Sequence, residues 1–196
     1  MNRHLHRITL VSLAIFTPLL YAQSSSPTLF GIDSSRSKIG FVARHLEFLN
    51  VEGSFTDFDG TLSLSDQDLT TLELTVTIQA SSLYTGRGIV DDNLRSDYYF
   101  EVETFPEITF VSSGVTQNDS EYKLSGMMTM KGVTQEISLP ITLSEYESDR
   151  SGNPRVRIKL GGEINRRDFD VGYDGMPDRL INDIVRLNLQ LEGIQQ

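Results

Sequence analysis

The chain has no cysteine and no tryptophan, and it holds only three histidines. Without thiols no disulfide braces it, so stability has to come from packing and hydrogen bonding. A zinc site built from His and Cys ligands is excluded on numbers. His4 and His6 fall in the first seven residues, which leaves His45 alone in the rest of the chain. A Ser-His-Asp triad would have to use that same His45, and no GxSxG elbow accompanies it. Phosphate-binding loops are missing too, since "GRG" at residues 86–88 does not extend to GxGxxG. Basic residues are few, 17 against 27 acidic, for a formal charge of −10. A surface this acidic argues against nucleic acid and against docking on anionic headgroups.

Long apolar runs are scarce as well. The one at residues 8–22, "ITLVSLAIFTPLLYA", is about 15 residues, short of the roughly 20 that span a bilayer. It follows the basic "MNRHLHR", is interrupted by Pro18, and ends at Ala22 before the polar "QSSSP". That succession predicts a secretory signal peptide over residues 1–22, cleaved to leave a chain that begins at Gln23. Leu20, at the −3 position, is bulkier than the small residue preferred there, which leaves an uncleaved anchor open. No cysteine follows the run, which argues against a lipid-modified terminus. Cleavage removes Arg3 and Arg7, leaving 174 residues with 15 basic against 27 acidic side chains, a charge of −12. That length suits one domain, residues 23–196, with a full core.

What the chain does have is period-two alternation, repeated eight times. Ile39, Phe41 and Ala43 share one face of the first expected strand. Leu72, Leu74, Val76, Ile78 and Ala80 share another, opposed by Glu73, Thr75, Thr77 and Gln79. The same rule runs through 106–112, 122–130, 137–143, 155–164 and 185–191. The stretch 51–64 slips phase between Phe55 and Phe58, which predicts a bulge or bend near "TDFDG", with Gly60 as the permissive residue. Turn-rich connectors separate the strands and favour antiparallel neighbours. The alternation is met by a closed barrel or by a two-sheet sandwich. Closure removes exposed edges, and eight strands leave room for one small ligand. A single helical insert interrupts the pattern at 86–100, where Val90, Leu94 and Tyr98 stand four apart.

"LRSDYYFEVETFPEITFVSS" (94–113), "GMMTMKGVTQEISLPI" (126–141), "INRRDF" (164–169) and "VEGSFTDFDG" (51–60) together resemble the YceI-like family of lipocalin-like periplasmic isoprenoid binders, over roughly residues 30 to 193. The resemblance implies an all-β fold, an eight-stranded antiparallel lipocalin-like barrel with a short helical cap inserted between strands. It implies a periplasmic location and an apolar interior that takes a long tail. Tyr98, Tyr99, Phe100 and Phe105 would then pack the cap, and Pro106 would start the next strand, where its missing N–H costs least. Two positions depart from the family pattern: Arg36 stands where histidine is usual before Ser37, and Asp170 where glycine is usual after Phe169.

If that interior is kept, Phe41, Phe55, Phe58, Phe110, Met128 and Met130 are the residues expected to line it, with methionine adapting to different shapes. For each strand taken alone a packed core is the plainer reading. Each buried CH₂ contributes about 0.8 kcal/mol, so ten give about 8 kcal/mol before the tail's ordering is charged against it. His45, Arg95 and Arg166 are the residues for a phosphate or quinone headgroup at the mouth. The plainer alternative pairs the arginines with Asp91, Asp97 or Asp168, and makes His45 structural. Asp168, Asp170, Asp174 and Asp178 lack the spacing of a calcium loop and read as a solvated acidic loop. The expected function is therefore a non-enzymatic binding protein for a long-chain isoprenoid or similar amphiphile, for transport, storage or sequestration. It would carry no cofactor beyond a bound lipid such as polyprenyl phosphate or quinone. Nucleic acid and stable membrane insertion are not expected, and oligomeric state stays open, a dimer included. Two alternatives stay open: an enzyme acting on such a lipid, and a packed stress-response barrel with a protein partner.

Overall fold

The computed structural model describes residues 26–46, 48–148 and 152–196, so the expected signal peptide lies outside the described residues. Eleven strands run in chain order: β1 (Thr28–Ile32), β2 (Lys38–His45), β3 (Leu49–Phe55), β4 (Phe58–Ser65), β5 (Asp68–Gln79), β6 (Leu83–Tyr84), β7 (Glu107–Asn118), β8 (Glu121–Met130), β9 (Val133–Ser148), β10 (Pro154–Asn165) and β11 (Ile181–Gln195). Two short helices, α1 (Gly88–Arg95) and α2 (Met176–Arg179), precede β7 and β11. All strand pairs are antiparallel. β1, β4, β5, β7, β8, β9, β10 and β11 form a ring of eight strands that closes where Phe30 pairs with Gln195. The closed barrel, one of the two arrangements the alternation allowed and the one the family resemblance implied, is thus present.

The extra strands come from staves that break. β11 pairs with β1 along its C-terminal part and with β2 along its N-terminal part, Leu187 opposite Phe41. β1 and β2 are therefore two halves of one stave, separated by a turn in which the Arg36 amide donates to the Asp33 carbonyl at 3.1 Å. The phase slip in 51–64 is a bend at Thr56–Asp57 that ends β3 and starts β4, with Phe55 and Phe58 buried on either side. Gly60 is not its hinge. It pairs regularly with Val76, and a Cβ there would run into the Thr75 carbonyl oxygen. Two-residue turns join β4 to β5, β7 to β8 and β8 to β9; at Lys131–Gly132 both residues have positive φ, 50° and 75°, the conformation that matches strand twist in a two-residue hairpin.

The interior is packed at one end and hollow at the other. Phe30, Leu62, Leu64, Leu72, Leu124, Ile141, Val156 and Ile158 are each 2 % exposed or less and fill the end where β1 begins and β11 ends. At the opposite end β3 pairs with β2 on one side but on the other meets only the two-residue β6. There the sheet parts, and α1 with residues 96–106 supplies the wall. The Ala80 amide donates to the Pro106 carbonyl at 2.8 Å, so Pro106 stands one residue ahead of β7 and anchors the return of the insert.

Candidate functional site

Inward positions of β2, β3, β5, β7, β8, β9, β10 and β11 enclose a cavity of about 520 Å³, within the range of small-ligand sites. Its walls are almost wholly apolar, and among the described residues no Asp or Glu lies on them. Space is kept by small residues set beneath aromatic rings. Gly53 faces Phe41 across the β2–β3 pair, and a Cβ at Gly53 would collide with that ring. A Cβ at Gly126 would lie 2.5 Å from Phe110 Cζ. Each ring therefore lies against the barrel wall, over a glycine, instead of projecting across the lumen. The lining residues that are exposed are Arg87, Ile89 and Asn93 around α1 and Pro177 in α2, and these mark the mouth.

Of the residues expected to line the interior, Phe41, Phe55, Phe110, Met128 and Met130 are on the cavity wall. Phe58 is not. The bend at Thr56–Asp57 carries it out of the stave that faces the cavity and into the packed core, opposite Ile78. His45, half-buried at the end of β2, reaches the wall. Arg95 does not: from the last turn of α1 it bonds the Ser81 carbonyl at 2.8 Å and the Leu83 carbonyl, with Asp92 3.5 Å away. It serves the carbonyls that the short β6 leaves unpaired. The missed cation is Arg87, which stands exposed at the mouth; its neighbouring glycines drew attention in sequence only as a failed phosphate loop.

Arg166 borders the cavity but offers it no free donor. Its Nε bonds the Asn182 carbonyl at 3.2 Å, Nη1 bonds Asp178 Oδ1 at 2.7 Å and the Val171 carbonyl at 3.0 Å, and Nη2 reaches the Ile181 carbonyl and Asp183. Its partners are Asp178 and Asp183 rather than Asp168. The expected solvated loop is corrected at one position: Asp168, Asp170 and Asp174 are exposed, but Asp178 is 0 % exposed and holds both Arg166 and Arg167. Asp91 is also buried, where it accepts from the Thr85 amide and hydroxyl at 2.8 and 2.6 Å. Burial would raise the Asp178 carboxyl, but the Arg166 guanidinium, bonded and charged, and then Arg167 hold it below the usual range. Tyr99, 2 % exposed, donates to Asp178, and its hydroxyl is pushed up to about 12, by burial first and then by the Asp178 charge. Tyr99 also meets Tyr173 edge-on at 5.9 Å, and Phe100 meets Phe55 edge-on at 5.8 Å, so these two pack the cap. Tyr98, by contrast, is 53 % exposed and leans on Tyr173 from outside.

A closed antiparallel barrel with one packed end and one apolar, open-mouthed chamber defines a calyx-type, lipocalin-like protein. The family model for the YceI-like domain matches residues 30–193, and the chain belongs to that family. The UPF0312 protein of Photorhabdus laumondii is 31 % identical over 190 residues, covering 96 % of this chain and 97 % of the relative. Burkholderia cenocepacia BcnA shares the fold with a TM-score of 0.74 at 23 % identity, over 82 % of this chain and 98 % of BcnA. A polyisoprenoid binding domain from Saccharophagus degradans, implicated in plant cell wall breakdown, shares it with a TM-score of 0.66 at 17 % identity, over 87 % and 100 %. Both departures from the family pattern have a structural account. Asp170 is left-handed, φ 54°, where glycine would be unstrained and aspartate is tolerated. Arg36 pairs at 3.3 Å with Glu192, whose amide donates to Ser37 Oγ at 2.9 Å.

Proposed function

We propose that the protein holds a long-chain isoprenoid, or an amphiphile with a comparable tail, in the open half of its barrel and releases it chemically unchanged. Transport, storage or sequestration in the periplasm is the role that fits such a binder. The observation that carries this reading is the apolar chamber with its exposed mouth. Among the described residues its walls bring together no carboxylate pair and no nucleophile next to a base, which favours binding over chemistry on the ligand. Such a chamber recognises a tail through shape and dryness, and each buried methylene contributes about 0.8 kcal/mol before ordering costs. The naming of the Saccharophagus domain agrees with a polyisoprenoid as the ligand class. Native mass spectrometry of protein purified from the periplasm of the expressing cell, followed by extraction of the adduct, tests it. The expected result is a stoichiometric lipid adduct whose fragmentation gives a prenyl or alkyl ladder. A mass that stays apo after incubation with polyprenyl phosphates, quinones and fatty acids would sink the reading.

A further inference from the structure

Large exposed apolar side chains collect at the end of the barrel that carries the mouth. Phe48 is 76 % exposed at the β2–β3 tip, Ile89 89 % on α1 and Met176 69 % on α2, with Leu46 and Leu180 beside them. All three segments are tied to the opening. Ile89 is itself on the cavity wall, His45 and Val51 flank the tip there, and Pro177 and Ile181 do the same for α2. The Leu46 amide donates to the Leu180 carbonyl at 2.8 Å, so tip and α2 stand side by side. At the packed end the β4–β5 and β7–β8 turns are polar instead, Asp66–Gln67 and Asp119–Ser120.

We propose that this rim docks the protein on the surface of a lipid bilayer, so that a tail passes between membrane and chamber without crossing water. The inference rests on the lipid-holding reading above. An apolar rim around the mouth of an apolar chamber asks for a partner that covers the first and feeds the second, and a bilayer does both. A second copy would seal the two mouths against each other and bring together two chains of charge −10. The same charge sets the mode of docking. Near the rim Arg95 and Arg179 are already paired with Asp92 and Asp174, which leaves no basic cluster among the described residues there to draw anionic headgroups. Insertion of Phe48, Ile89 and Met176 into the interface drives docking instead, and it should be indifferent to salt.

The test uses the chain from Gln23 on, which retains every strand of the ring, in flotation with phosphatidylcholine vesicles, alone or mixed equally with phosphatidylglycerol. The F48S/M176S double variant alters two rim residues that are not on the cavity wall. Farnesol binding in vesicle-free buffer, followed by tyrosine fluorescence, reports the chamber separately. The protein should float with neutral vesicles at low and high salt, and the double variant should lose vesicle partitioning by roughly tenfold or more, as expected for two large apolar groups kept from burial. Its farnesol affinity should be unchanged. Failure of the unaltered protein to float while it binds farnesol overturns the docking and leaves the lipid-holding reading standing. Failure of both removes both. Equal flotation of the double variant, or a rim-dependent dimer that does not float, also overturns it.

Discussion

Arg166 Nη1 lies 2.7 Å from Asp178 Oδ1, and neither side chain is more than 6 % exposed. The pair does more than neutralise two charges. Asp178 comes from α2, Arg166 and Arg167 from the turn after β10, and Tyr99 from the insert before β7, so one buried carboxylate gathers three segments at the open end. Replacing Arg166 by methionine leaves that carboxylate to Arg167 and the Tyr99 hydroxyl, and strips donors from the Val171, Ile181 and Asn182 carbonyls. Breaking a buried pair in this way costs about 3–5 kcal/mol. Urea unfolding should show Arg166→Met less stable by about that amount, whereas a loss below about 1 kcal/mol would place the pair among exposed bridges.

Tyr99 gives the cap a pH dependence at the alkaline end. Its folded value, about 12, lies above the ordinary tyrosine value near 10. The native state therefore retains a proton that the unfolded chain gives up over that interval. The stabilisation is complete below pH 10 and is lost as pH rises through about 12. Tyr173, Arg166 and Asp178 face the same hydroxyl, and Asp178 supplies the charge that resists its ionisation. Tyr99→Phe should flatten the decline in unfolding free energy between pH 10 and pH 12. An unchanged slope in the variant would assign the alkaline loss to other groups.

The alternation that made the barrel legible is a backbone property, since a strand with one apolar face repeats every two residues whatever it encloses. For this reason Ile39 to Ala43, Leu72 to Ile78 and Val156 to Ile164 indicated their elements directly. The same alternation cannot distinguish a side chain that fills the lumen from one that borders space. Phe55 and Phe58 are both buried, and the bend between them leaves only Phe55 on the cavity wall. Arg95 and Arg166 stood in conspicuous motifs, but their neighbours in space are carbonyls and aspartates brought in by other segments. Arg87 and Ile89, at the mouth, carried no periodic signal, because α1 exposes both of them.

Glu192 offers a further buried carboxylate, on the outward side of β11. It is 2 % exposed and meets Arg36 at 3.3 Å, Arg155 at 3.2 Å and Arg157 at 2.5 Å. Its neighbour Gly193 admits Phe30, so the acid sits where the ring closes. Glu192→Gln removes the charge shared by three guanidinium groups and should cost about 3 kcal/mol. Arg36→Ala should cost under about 1 kcal/mol, because Arg36 is 53 % exposed. Thermal and urea unfolding of the two variants should separate clearly. Equal losses would mean that the cluster is held by its rim.

The emptiness of the chamber can itself be tested at Gly53. Val51, Gly53 and Phe55 share the inward face of β3, and Phe41 lies over the glycine from β2. A methyl group at Gly53 meets the far end of that ring, and the ring has open volume to turn into. Gly53→Ala should therefore cost little stability, within the 1–3 kcal/mol typical of overpacking. Its main effect should fall on the ligand, whose affinity should drop roughly tenfold as the displaced ring takes up lumen, about 1.4 kcal/mol of binding. Shortening the ring as well, in Gly53→Ala with Phe41→Leu, should restore affinity beyond what the two single changes predict, the signature of coupled neighbours. Farnesol titrations on the four proteins read this coupling directly. Additive losses would show that ring and glycine act independently, and unchanged affinity in Gly53→Ala would show that the tail does not pass this point of the barrel.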